Sequence, residues 1–138
     1  MAVPSINHVV LTVSDMDNVR SFYGDLLGFE LKEAPVEDGV MLYFEITGGT
    51  IWFVKHKQVP AGDRFSEFRI GLDHLSFTAP SKEFLHELGD KLIAAGVNTK
   101  GVEIFYNQWL YVAFRDHDNI QLEYWLNDPI SDDAAPDA

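Results

Sequence analysis

Two histidines and one glutamate form the set of side chains best suited to chemistry. His8 opens the run HVVLTVS, and His74 opens HLSFTAP sixty-six residues further on. The two runs match beyond the histidines, Val9 falling on Leu75 and Thr12 on Thr78. A lone histidine on a strand is ordinarily filler, but the same residue at equivalent places of two matching strands is a paired donor set. A third donor, Glu123, lies in IQLEYW on the face shared by Gln121 and Trp125. A carboxylate on a buried strand is costly unless it is paired, hydrogen-bonded or bound to a cation. Two neutral imidazoles and one carboxylate suit Fe(II) or Mn(II), and also accept Zn(II), Ni(II) or Co(II). Such a set leaves coordination positions open for a chelating substrate, with the ion serving as Lewis acid and template. Cysteine is absent, which excludes thiolate ligands, disulfides and cysteine nucleophiles.

Side chains alternate along strands, so further residues share the faces of the trio. Val10 lies on the His8 face, Ser76 on the His74 face, and Gln121 and Trp125 flank Glu123; with Trp52 they are the expected substrate pocket. His56 shares a face with Trp52 and is the candidate general base near neutral pH.

The elements that must position these groups also come in two copies. After the first histidine strand, SDMDNVRSFYGDLLGF places Val19, Phe22, Tyr23 and Leu26 at helical spacing, with Ser14 as expected cap and Gly28 as stop. After the second, Ser81 is the expected cap, Phe84, Leu85, Leu88 and Leu92 form the stripe, and Gly96 ends it. Strand-like runs follow at 29–34, 40–46 and 50–56, and again at 102–106, 110–115 and 120–125. Each half therefore reads β-α-β-β-β, a tandem duplication. The expected fold is α+β, two βαβββ modules curling a mixed sheet into a cup. One domain is expected over 1–127, with modules at about 5–56 and 71–127 and a connector at 57–70. The acidic segment 128–138 is expected to be a disordered tail. In this duplication Glu123 corresponds to Trp52, which cannot bind a metal and reads as an apolar wall for substrate.

The formal charge is −12. That repels phosphate backbones and anionic membranes, so neither nucleic acid nor a membrane is an expected partner. No basic, apolar leader opens the chain, and no apolar run has the length of a membrane span. A cytoplasmic location is the expectation.

At these residues the chain resembles the vicinal oxygen chelate superfamily, which groups glyoxalase I, bleomycin-resistance proteins, fosfomycin-resistance enzymes and extradiol ring-cleaving dioxygenases. The resemblance covers roughly residues 6–127. It rests on HVVLTVSDMDNVRSFYGDLLGFEL, GLDHLSF and FRDHDNIQLEYW occurring in register. It implies His8, His74 and Glu123 as metal ligands and a homodimer as the assembly. Glyoxalase I and related epimerases look like four-ligand enzymes, from which Trp52 departs. The dioxygenases and fosfomycin enzymes use two histidines and one glutamate, as here. The resemblance thus implies an enzyme acting on a small oxygen-chelating molecule, with dioxygenase-like oxygen insertion as first choice. A drug-binding resistance protein without turnover is the alternative. A glyoxalase-type lyase or fosfomycin-type thiol transferase is the third reading.

Overall fold

The computed structural model describes residues 2–130. Its elements follow the duplicated order. Strand β1 (His8–Thr12), helix α1 (Met16–Val19) with a π-helical continuation (Arg20–Leu26), β2 (Lys32–Val36), β3 (Gly39–Ile46) and β4 (Gly49–Val54) come first. Strand β5 (Leu75–Ala79), helix α2 (Lys82–Ala94), β6 (Thr99–Phe105), β7 (Trp109–Arg115) and β8 (Gln121–Leu126) follow. They form two four-stranded mixed sheets, ordered β1-β4-β3-β2 and β5-β8-β7-β6. The chain divides into two compact units, one up to Asp63 and one from Arg64 onward. The fold is α+β. Of the segment 128–138, residues from 131 on lie outside the described residues.

In each unit the strand that begins the module pairs in parallel with the strand that ends it. Val10 lies opposite Trp52, and Ser76 lies opposite Glu123. The hydrogen-bond register thus reproduces the equivalence of Trp52 and Glu123 read from the two repeats. One face of each sheet is sealed by its helix. In the first unit Leu11, Val13, Leu42, Phe44, Ile51 and Phe53 are buried beneath Val19, Phe22 and Tyr23, and the Tyr23 and Phe53 rings lie 4.5 Å apart. In the second, Leu110, Val112, Phe114 and Leu122 lie under Leu85, Leu88 and Leu92 of α2. The opposite faces carry His8, Val10 and Thr12, and His74, Ser76 and Thr78, all exposed. Burying one face of every strand forces its alternate residues outward, so the core itself aims the histidines away from it.

Strand bounds and two local details differ from the sequence reading: β2 begins at Lys32 rather than at 29, β4 ends at Val54 rather than at 56, and β6 begins at Thr99 rather than at 102. Asp15, rather than Ser14, caps α1, its carboxylate accepting from Asp17 N at 2.7 Å while its backbone is extended. The first helix also widens into a π-helical turn, with Leu27 N donating to Phe22 O at 2.9 Å. That wider turn lets the adjacent residues Phe22 and Tyr23 both pack against the sheet, 4 % and 2 % exposed. Ser81 caps α2 as expected, accepting from Phe84 N at 3.0 Å.

The run 57–70 is shared between the units. Its part from Arg64 belongs to the second, where Phe65 N donates to Asp118 O at 2.8 Å and Asn119 Nδ2 donates to Phe65 O at 3.0 Å.

Candidate functional site

The site is built from the residue before each histidine outward. His8 Nδ1 lies 2.7 Å from Asn7 Oδ1, and His74 Nδ1 lies 2.6 Å from Asp73 Oδ1. Both oxygens can only accept, so each ring donates from Nδ1 and directs Nε2 outward from the strand. Asn7 and Asp73 are themselves equivalent in the duplication, so the anchoring is repeated along with the histidines. Nothing in the apolar periodicity flags these two neighbours. The signal was their oxygen-bearing side chains at matching positions, N-H and D-H.

In the second unit His74 Nε2 meets Glu123 Oε1 at 2.9 Å. Glu123 is 8 % exposed, the one buried charged side chain among the described residues. Such a carboxylate needs a partner, and His74 supplies one. The Asp73 carboxylate, and behind it Glu123, hold the His74 pKa above its ordinary 6.5, partly offset by burial. Two donors about 2.1 Å from one ion and at right angles stand about 3 Å apart. The His74–Glu123 separation therefore suits a shared cation as well as a direct hydrogen bond. Among the described residues, no group of three or more His, Asp or Glu side chains is gathered as a metal cluster.

The remaining expected pocket residues divide by unit. In the first, His8 lies opposite Thr50, and Val10, 46 % exposed, lies opposite Trp52. Trp52 stacks on Tyr43 with centroids 4.3 Å apart and donates its indole N–H to Thr50 Oγ1 at 2.8 Å. In the second, Ser76 lies opposite Glu123, and Trp125 stacks on Tyr111 at 4.8 Å. The Trp125 indole nitrogen is buried without a hydrogen-bond partner. Burial first, then Glu103 and Glu123, raises the Tyr111 pKa. Gln121 does not stand free as a ligand contact: it accepts from Arg115 at 2.8 Å and donates to Asp73 at 3.3 Å.

His56 sits apart from His8 within the first unit. β4 ends at Val54, so His56 lies two residues beyond the strand whose face it was expected to share with Trp52. His56 instead lines a groove of about 630 Å³ with Asp15, Asp38, Val54 and Lys57 among its walls. Neither His8 nor Trp52 borders that groove.

A chain with duplicated modules of this kind, each opening on an anchored histidine, belongs to the Glyoxalase/Bleomycin resistance protein/Dioxygenase superfamily, whose family model matches residues 5–124. More particularly, the chain is 30% identical over 93 residues to metallothiol transferase FosB of Lysinibacillus sphaericus (strain C3-41), covering 67% of this chain. It spans 60% of that relative's length. A glyoxylase/bleomycin resistance protein/dioxygenase domain from Frankia sp. EAN1pec superposes with a TM-score of 0.80 at 29% identity, over 97% of this chain and 98% of that one. A mutant of the fosfomycin resistance protein FosX from Listeria monocytogenes, complexed with Mn(II) and 1S,2S-dihydroxypropylphosphonic acid, superposes with a TM-score of 0.64. At 22% identity, over 89% of this chain and 90% of that one, this likeness is one of fold. No helix among the described residues is long and apolar enough to cross a membrane.

Proposed function

We propose that His8, His74 and Glu123 hold a divalent metal, Mn(II) or Fe(II) by preference, and that the chain acts on a small molecule which chelates it through neighbouring oxygens. The observation that carries this reading is the 2.9 Å approach of His74 Nε2 to the buried Glu123 carboxylate, with Nδ1 already tied to Asp73. His8 has the same anchoring and the equivalent strand position. The metal, when bound, supplies Lewis acidity to the substrate oxygens. The chain's own groups do the rest. Asn7 and Asp73 fix the ring tautomers, Glu123 contributes negative charge, and the stacked pairs Tyr43–Trp52 and Tyr111–Trp125 offer flat apolar surface to a substrate ring or chain.

Three donors leave room for a chelating substrate and a co-reactant, which favours dioxygenase-like oxygen insertion. A second reading, thiol transfer of the fosfomycin-resistance type, draws support from the likeness to metallothiol transferase FosB. Against it, the guanidinium of Arg115, on the Glu123 face, is engaged by Glu67 and Gln121 rather than open to a phosphonate.

Full-length protein purified without chelator is expected to contain about one divalent metal per chain, measured by plasma mass spectrometry, and His74→Ala to lose it. Oxygen consumption with catechols supports the first reaction, and thiol-dependent loss of fosfomycin the second. Tight binding of an aromatic drug by metal-free His74→Ala protein, with neither turnover, would replace both with a sequestering role.

A further inference from the structure

The two units share a scaffold but differ around their histidines. In the second unit Arg115 Nη2 donates to Gln121 Oε1 at 2.8 Å, Gln121 Nε2 donates to Asp73 Oδ1 at 3.3 Å, and that oxygen lies 2.6 Å from His74 Nδ1. The far end is also tied. Arg115 forms an ion pair with Glu67 and donates through Nη1 to Asn119 O at 3.3 Å. An unbroken run of polar contacts therefore joins Glu67, in the segment that enters this unit, to the ring of His74 and on to Glu123.

The register gives the matching places in the first unit. Arg115 pairs with Gln121 across β7 and β8 as Glu45 pairs with Thr50 across β3 and β4. Among the described residues no such chain exists there. Glu45 is held by Lys32 Nζ at 3.2 Å, and Thr50 Oγ1 accepts from Trp52. Only the anchor itself, Asn7 on His8, is retained. A packing requirement of the duplicated fold would fall on both copies; this chain falls on the copy that carries the glutamate.

We propose that Arg115 and Gln121 are positioning residues for His74, acting through Asp73. Gln121 orients the Asp73 carboxylate, so that Nδ1 stays hydrogen-bonded and Nε2 stays aimed at Glu123. Arg115 holds the Gln121 amide in the orientation that points its N–H at Asp73. Glu67 fixes the guanidinium in turn. Partners of this kind behind a ligating histidine set ring orientation and basicity, and their loss costs about 10- to 100-fold in metal affinity. The proposal rests on the metal reading above, so its test separates the two.

The test uses the full chain with 15N-labelled histidine, first metal-free and then titrated with Mn(II) alone. Gln121→Glu keeps the side chain's size and the oxygen facing Arg115, but removes the N–H that reaches Asp73. Ring spectra of the wild type are expected to show an exchange-protected His74 Nδ1–H. In Gln121→Glu that signal is lost while the His8 ring is unchanged, and Mn(II) affinity falls about 10- to 100-fold. Arg115→Lys keeps the charge but cannot hold three partners in a planar fork, and is expected to behave likewise. If Gln121→Glu does not fold, Gln121→Met, which removes both bonds without adding charge, gives the same readouts. An unaltered His74 ring signal with Mn(II) affinity within about twofold of wild type overturns the proposal and leaves the metal reading standing. A wild type that binds no Mn(II), alongside a His74 signal that still collapses in the variant, sinks the metal reading and supports the positioning chain.

Discussion

Each candidate histidine ligand comes with an immediate neighbour that holds it. Asn7 anchors His8 with a neutral amide, whereas Asp73 anchors His74 with a charge, so the two rings are not electrostatically alike. Asn7→Ala removes the His8 anchor at an exposed position. The expected result is about a 10-fold loss of Mn(II) affinity by calorimetric titration, with urea stability changed by less than about 0.5 kcal/mol. Equal losses in both measurements would instead point to a folding role for Asn7. The sequence singled out His8, His74 and Glu123 as candidates because duplication put the two histidines in register and set Glu123 against Trp52. The supporting residues were not. Arg115 and Gln121 differ from their counterparts Glu45 and Thr50, so the repeat gives no signal at those places. Their contacts with Glu67 and Asp73 span 48 positions along the chain and exist only after folding.

The strands and helices were readable because apolar residues follow the periods of the elements they form. Leu85, Leu88 and Leu92 recur at helical spacing and pack fully or nearly so, while Ile51 and Phe53 alternate with Thr50 and Trp52. What escaped was local hydrogen bonding: the choice of Asp15 over Ser14 as cap, and the widening of the first helix after Val19. Neither leaves a mark in hydrophobic spacing. Leu85→Ala is expected to cost about 2–5 kcal/mol in equilibrium unfolding, since the side chain has no exposed surface. Ser81→Ala should cost about 1 kcal/mol by loss of the cap to Phe84 N. Gly49 is more telling, because it joins an element to the site. A Cβ there would collide with the carbonyl oxygens of Ile6 and Asn7, and Thr50 N donates to that same Asn7 oxygen at 3.0 Å. Gly49→Ala is therefore expected to cost about 1–3 kcal/mol and also to weaken metal binding by displacing the anchor of His8. Full Mn(II) affinity in a destabilised Gly49→Ala protein would show that strand end and ligand are not coupled.

At the scale of the whole molecule, the connector expected at 57–70 is divided between the units, and its later part is clasped by Arg115 through Glu67. The Arg115 guanidinium holds the Glu67 carboxyl below its ordinary 4.5. A carboxyl with a depressed folded pKa contributes its stabilisation fully above the unfolded value and loses it as pH falls through the folded one. The clasp is thus expected to open below about pH 4.5, seen as faster amide exchange at Phe65 relative to a Glu67→Gln protein, in which that acid sensitivity is gone. Identical pH profiles in the two proteins would show that the ion pair does not secure the segment. The charge of −12 bears on which partners to expect but does not single out a ligand. The central claim is that His8 and His74, from separate halves of a duplicated chain, ligate one ion with Glu123. Pulsed electron paramagnetic resonance of Mn(II) bound to the full chain tests it most directly. Coupling to two imidazole nitrogens is expected, falling to one in His8→Ala, while His74→Ala is expected to lose the bound-ion signal altogether. A wild-type spectrum without imidazole coupling, or one that His8→Ala leaves unchanged, would contradict the shared site.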